Sequence, residues 1–241
     1  MFKNVKALVL REVKYRDADK ILTLLTAEDG KLTVKARGAL RKNCKYGAAA
    51  QLLCFSDMTL LDFNGRWSLS EAETLEQFLP LRSDLEKLAL GAYFAEVLET
   101  VSDEDCPNPA LLQLGLNSLY ALGSQLYPDT HIKAVFELRL LCLSGFTPLL
   151  DREGTLFSLS GGSVHRVEEP PGNTGKSLPV DSDTLRAMRY IVRAEPKKIF
   201  SFSLPPASEK RLAAVCEGYM TAQLERSFSS LDYWKRLKLN Y

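Results

Sequence analysis

Histidine is nearly missing from this chain, and cysteine pairs are missing altogether. Only His131 and His165 occur, in unrelated contexts. The five cysteines (Cys44, Cys54, Cys106, Cys142 and Cys216) are odd in number, scattered, and never spaced Cys-x-x-Cys. That spacing excludes a disulfide framework and a zinc ribbon; free, small, buried thiols in a reducing compartment are expected. Neither histidine sits in a Gly-x-Ser-x-Gly or Cys/His arrangement, so nucleophilic catalysis finds no support. Gly172-Asn-Thr-Gly175-Lys176-Ser177 ends like a phosphate loop, but its glycines are too close together and it follows Pro170-Pro171, not a strand. No long apolar run suggests a membrane span. The apolar stretch 5–10 is short and broken by Lys6, so no secretory leader is expected. Internal repeats and low-complexity segments are also absent.

What is present is charge, separated along the chain. The whole sequence carries +1. In residues 1–50, twelve bases stand against five acids, a balance of +7, which leaves −6 on the remainder. Residues 51–110 are the most acidic part, with three bases against twelve acids. A basic field on one small domain is the electrostatic footprint of a nucleic-acid binder. The acidic part reads as a solvated helical face, or as a surface that repels DNA towards the basic one.

Hydrophobic periodicity divides the chain near Pro80. Residues 5–13 and 21–26 read as strands, and Glu28-Asp29-Gly30 supplies a hairpin turn. In Lys31–Arg37, Lys31, Thr33, Lys35 and Arg37 alternate with Leu32, Val34 and Ala36, so one face is basic and the other apolar. Gly38–Gly47 is a basic loop. Ala50–Phe63 and Trp67–Phe78, split by Asn64-Gly65, complete five strands. Five short, locally connected strands fit an OB-fold barrel, with an SH3-like barrel as the structural alternative. Beyond Pro80 the period becomes helical: Ser83-Asp84 caps a helix through Glu99, and Leu111–Leu122 and His131–Ser144 follow, with Gly145 as a stop. Residues 145–180, rich in Gly, Ser and Pro, read as an irregular insertion. Ser182 and Ser208 are expected to cap Thr184–Arg193 and Lys210–Phe228. The fold class is α+β: a DNA-binding barrel over 1–79 and an α-helical domain over 80–241.

In the basic loop, Arg37, Arg41, Lys42 and Lys45 are the first candidates for phosphate contact; Lys14, Arg16, Lys20 and Lys35 are the second. Such contacts release counterions and give salt-dependent affinity without sequence specificity. Tyr46 and Phe55 are candidate base-stacking groups, with Tyr46 favoured as a packing residue. Rival readings are an RNA-binding OB module, a metal-dependent nuclease using Asp17 and Asp19, and a protein-only adaptor.

The chain also resembles the RecO family of bacterial recombination mediators. The resemblance rests on Ala7-Leu-Val-Leu-Arg11, Tyr15 with Asp17-Ala-Asp19, Leu24-Leu-Thr26, Gly30-Lys31, Ala36-Arg37-Gly38 and Gln51. It continues through Ala72-Glu73, Leu88–Tyr93, Glu96-Val-Leu, Phe136–Pro148 and Leu224–Leu231. It implies binding of single- and double-stranded DNA, annealing of complementary strands, and help in loading RecA onto DNA coated by single-strand-binding protein (SSB). It also implies RecR and SSB as partners, action in the cytoplasm near the nucleoid, and no enzymatic step. SSB's acidic, Phe-terminated tail would dock on the helical domain, and Arg139, with Lys133 or Arg186, is the candidate contact; a buried structural pair of Arg139 with Glu137 or another acid is the alternative. Many members carry four zinc-binding cysteines just after the Gly-Phe-Thr-Pro step. Here the window Leu149–Glu168 has none, only His165 and Glu153, so no metal or other cofactor is expected.

Overall fold

The computed structural model describes residues 2–167 and 175–239. Part of the 145–180 segment, and the glycine that opens the phosphate-loop-like stretch, lie outside the described residues.

The N-terminal strands are β1 (Phe2–Tyr15), β2 (Asp19–Thr26), β3 (Lys31–Ala36), β4 (Phe55–Phe63) and β5 (Arg66–Glu76). They close into a barrel in the order β1-β2-β3-β5-β4. Every neighbouring pair is antiparallel except β3–β5, which runs parallel through Val34–Trp67 and Lys35–Ser68. This is the five-stranded OB-fold expected from the sequence. Inward residues fill it: Val5, Ala7 and Val9 from β1, Leu22 and Leu24 from β2, Leu32, Val34 and Ala36 from β3, Met58 and Leu60 from β4. The alternation in β3 is as expected, with its basic positions outward.

β1 and β2 also bury outward residues. Leu8, Leu10, Thr23 and Leu25 are all buried, so Ala7–Leu10 and Leu22–Leu25 are buried on both faces and do not alternate. Helices α1 (Leu79–Arg82), α2 (Leu85–Val101) and α3 (Pro109–Ser124) follow. α2 packs along β1 and β2. Asp84 caps α2 as expected, accepting from the backbone N–H of Glu86 and Lys87.

By packing, the chain forms two compact units, Met1–Gly123 with Phe228–Tyr241, and Ser124–Ser227. In the first, helix α7 (Ser229–Leu239) lies on α2, where Ser230 donates from its N–H and hydroxyl to Glu96. The second is built on α4 (Asp129–Leu143), which is buried almost all round by α5 (Ser182–Arg193) and α6 (Pro206–Leu224).

Three local expectations change. Ala50–Cys54 is turn, not strand: Leu53 takes a left-handed φ of 63°, turning its buried side chain towards Gly91 of α2. Residues 145–180 are not wholly irregular. β6 (Leu156–Ser158), β7 (Ser163–His165) and β8 (Ser177–Pro179) form a small sheet in the order β7-β6-β8. Asp181, not Ser182, caps α5, and α6 begins at Pro206, ahead of Ser208.

Candidate nucleic-acid interface

Oligonucleotides bind an OB-fold across strands 2–3, between the β1–β2 and β4–β5 turns. In this barrel those turns are 16–18 and 64–65, and an open groove of about 660 Å³ lies between them. Its floor is Ile21, Lys31, Thr33, Lys35 and Arg37; its sides are Tyr15 and Arg16 at one end and Phe63, Arg66 and Trp67 at the other. The parallel β3–β5 pairing sets Trp67 beside Val34 and so brings the second turn to the basic strand. Exposed apolar groups beside cations suit a ligand with anionic phosphates and flat bases. Phe63 is 61% exposed.

Electrostatics organise the β1–β2 end. Lys35 Nζ lies 2.9 Å from an Asp19 carboxylate oxygen and 5.1 Å from the Tyr15 ring centre. The Arg16 guanidinium lies 5.2 Å from the same ring. The other Asp19 oxygen accepts the Gly38 N–H at 2.8 Å. Lys35, then the Gly38 N–H, hold the Asp19 carboxyl below its usual range. Arg16 has a left-handed φ of 56°, so the turn projects it outward. Asp19 is thereby a positioning group for the turn and β3, while Asp17 stands exposed on the turn.

The sequence candidates separate in space. Arg16, Lys35 and Arg37 line the groove. Arg41, Lys42 and Lys45 are exposed on the turns of 37–54, outside the groove wall. That loop is anchored beside the β1–β2 turn, because the Leu40 N–H donates to Ala18 O at 2.9 Å. The groove and the basic loop are therefore adjoining surfaces. Lys14 is exposed at the end of β1, outside the lining. Lys20 is tied down by Glu12 and by Ala50 O at 3.2 Å. Tyr46 packs partly buried on the barrel core and donates to Arg37 O, and burial raises its phenol pKa. Phe55 is partly buried at the start of β4. Sequence reasoning overlooked Phe63, Arg66 and Trp67. Their signal was the Asn64-Gly65 turn followed at once by Arg-Trp.

In the second unit the three tail-binding candidates do not form one cluster. Lys133 is 3% exposed, and its ammonium bridges Glu137 at 2.7 Å and Glu217 at 2.9 Å. Burial works against the charged lysine, but the two carboxylates outweigh it and its pKa is raised. Arg139 donates to the last-turn carbonyls of α5, Val192 O at 2.6 Å and Ile191 O at 3.1 Å. Arg186 is exposed and pairs with Asp183. It borders a groove of about 480 Å³ lined by Tyr190, Phe202, Leu204 and Pro205.

In the window without cysteines, both candidate ligands face protein partners. His165 Nε2 lies 3.1 Å from the Ser177 hydroxyl, and Glu153 reaches towards Arg189. Among the described residues no three His, Cys, Asp or Glu side chains are placed to hold a metal ion. No described helix is long and apolar enough to cross a membrane.

Comparison with known proteins accounts for nearly the whole chain. Residues 1–78 match the family model for the recombination protein O N terminal, and residues 82–232 the model for its C terminal. The chain is similar to the DNA repair protein RecO of Symbiobacterium thermophilum, 38% identical over 98% of this chain and 97% of that one. It is 30% identical to the DNA repair protein RecO of Acetivibrio thermocellus, over 97% and 96% of the two chains. The RecO of Bacillus subtilis is 29% identical over 91% of this chain.

Proposed function

The chain belongs to the RecO family of DNA repair proteins, and we propose that it works by holding DNA strands through charge and stacking, without enzymatic chemistry. The observation that carries this reading is the groove on the barrel. It lies on the OB-fold's oligonucleotide face, sets Lys35, Arg37 and Arg66 around Tyr15, Phe63 and Trp67, and adjoins the loop bearing Arg41, Lys42 and Lys45.

Phosphates of either single- or double-stranded DNA are neutralised by these cations, with release of counterions. Bases of a single strand stack on the exposed rings of Tyr15 and Phe63, beside the partly buried Trp67. With phosphate charge screened and bases presented outward along the loop, a complementary strand approaches without nucleotide hydrolysis, and annealing follows. In the recombination setting that the family implies, the protein acts in the cytoplasm on SSB-coated DNA. There RecR is a partner and RecA is loaded after SSB is engaged. For the acidic SSB tail we favour the groove beside Arg186, where an exposed guanidinium adjoins an aromatic wall, over Arg139, whose Nη1 is held on two carbonyls of α5.

The test is annealing of SSB-coated complementary oligonucleotides across a salt series. An Arg37→Ala/Arg41→Ala/Lys42→Ala variant is expected to anneal more slowly and with a shallower salt dependence. Unaltered annealing and salt slope would overturn the reading. Tighter binding of single-stranded RNA than DNA would favour the RNA-binding alternative.

A further inference from the structure

On the face of the barrel across β2 and β3, part of the surface is already covered. Thr23 and Leu25 point outward from β2, yet they are 4% and 1% exposed. The cover is the C-terminal end of α2 and the chain that follows it. Glu99 pairs with Arg11 at 2.9 Å and accepts from the Thr23 hydroxyl at 3.4 Å. Lys31 Nζ donates to Glu99 O at 3.1 Å, and the Lys31 N–H to Asp103 O at 3.0 Å. Glu104 then pairs with Gly30 as an isolated antiparallel bridge. Gly30 is needed there: its φ is +66°, and a Cβ would meet the carbonyl oxygens of Asp103 and Cys106 at 2.5 Å.

This seated strap is acidic where it reaches the groove. Glu104 and Asp105 are both exposed and line the same groove as Lys35, Arg37 and Arg66. Glu104 accepts from the Thr33 hydroxyl at 3.5 Å. Asp105 holds a left-handed φ of 54°, a conformation that aspartate tolerates better than most residues. Past Lys31, whose ammonium is held on Glu99 O, the groove runs from carboxylates at Thr33 to cations at Lys35 and Arg37, and the basic loop continues from the cationic end.

We propose that Glu104 and Asp105 form an electrostatic end-stop in the strand groove. They repel phosphates at the Thr33 end, limit how much single strand the barrel takes, and direct the rest along Arg37 towards Arg41–Lys45. The inference rests on the groove holding single-stranded DNA, as proposed above.

The experiment uses the full chain with fluorescein-labelled oligothymidylates of graded length, read by anisotropy across a salt series. A Glu104→Gln/Asp105→Asn variant is expected to bind roughly 2- to 10-fold tighter at low ionic strength, an advantage that fades as salt rises. Its salt slope should steepen by about 0.7 for each further phosphate held, and the shortest oligonucleotide that binds fully should lengthen. Affinity, slope and minimum length equal to wild type, or weaker binding, would overturn the end-stop. A Lys35→Ala/Arg37→Ala variant runs beside it. If that variant loses binding while Glu104→Gln/Asp105→Asn behaves as wild type, the end-stop fails and the groove stands. If Lys35→Ala/Arg37→Ala binds normally, the groove reading fails and the end-stop falls with it.

Discussion

Replacing Lys133 with methionine should cost folding, not partner binding. The methionine keeps most of the apolar stem but removes the ammonium between Glu137 and Glu217. Glu137 is fully buried, while the Glu217 side chain is 30% exposed and can be rehydrated. The carboxylate that loses its ammonium in a dry setting is therefore that of Glu137, inside the unit's central helix. Breaking a buried pair from one side costs about 3–5 kcal/mol. For a chain of this size that corresponds to a Tm lower by roughly 6–20 °C if unfolding is a single transition. Differential scanning calorimetry measures it, and circular dichroism checks that the folded baseline is unchanged. A Lys133→Met/Glu137→Leu variant should recover most of the loss, because an apolar pair of similar size restores a neutral interior. The raised lysine pKa sets the pH window: the pair's stabilisation is complete below the unfolded lysine value of about 10.5 and is lost as pH rises through the higher folded value. A single variant melting within about 2 °C of wild type, or a double variant no better than the single, would refute this account of the buried triad. Loss of SSB-tail binding with unchanged Tm would instead restore Lys133 as a surface contact.

The remaining expectations concern the two grooves and one helix cap. Arg37→Ala/Arg66→Ala should lower the magnitude of the single-strand salt slope by about 1.4. Wild type should therefore lose about 7-fold more affinity than the variant over a fourfold rise in salt, and parallel lines in a log–log plot would contradict two phosphate contacts. Arg186→Ala should weaken binding of an acidic, Phe-terminated peptide without changing Tm. Arg139→Ala should lower Tm, since two carbonyls at the end of α5 lose their donor at a cost of about 1–3 kcal/mol; titration calorimetry beside thermal melts separates the two. Asp181 accepts from Thr184 N–H, from the Ser208 hydroxyl and from Arg211. Partial burial opposes its ionisation, but these bonds prevail and its pKa falls to about 2. A depressed carboxyl stabilises above its unfolded pKa and loses that contribution as pH falls to the folded one. Asp181→Ala should therefore cost about 1 kcal/mol at neutral pH and flatten the acid-side stability curve between pH 4 and 2. An unchanged acid limb would count against the cap.

Where local chemistry and tertiary structure agree, the fold is legible in the residues. Alternation in 31–37 fixes the basic face of β3, Gly30 marks its turn, and Asp84 marks the start of α2. The reading fails where distant chain decides. Leu53 looks like strand, yet its left-handed backbone serves packing on α2, and no neighbouring residue announces that. The three-residue strands β6–β8 are too short to show a period and exist only through pairing with one another. Half of the candidate site is hidden for the same reason. Lys35 and Arg37 are visible in β3, but Phe63, Arg66 and Trp67 reach the groove only through the parallel β3–β5 pairing, and Glu104 and Asp105 only through the bridge at Gly30. Lys133 did carry a local sign of its fate, since Glu137 lies one helical turn further on.

The parallel junction of β3 with β5 has a kinetic consequence. It joins residues more than thirty positions apart through the short pairing of Val34 with Trp67 and Lys35 with Ser68, whereas β4 and β5 are zipped together by a hairpin along most of their length. Loop-closure entropy makes such a non-local junction late to form and early to open. The groove proposed to hold a strand straddles this seam, with Lys35 of its floor on one side and Trp67 on the other. A strand lying across it would clasp both sides, so amide hydrogens at the seam should exchange more slowly as ligand accumulates. The breathing of the barrel and the residence time of its ligand would then be set by the same few hydrogen bonds.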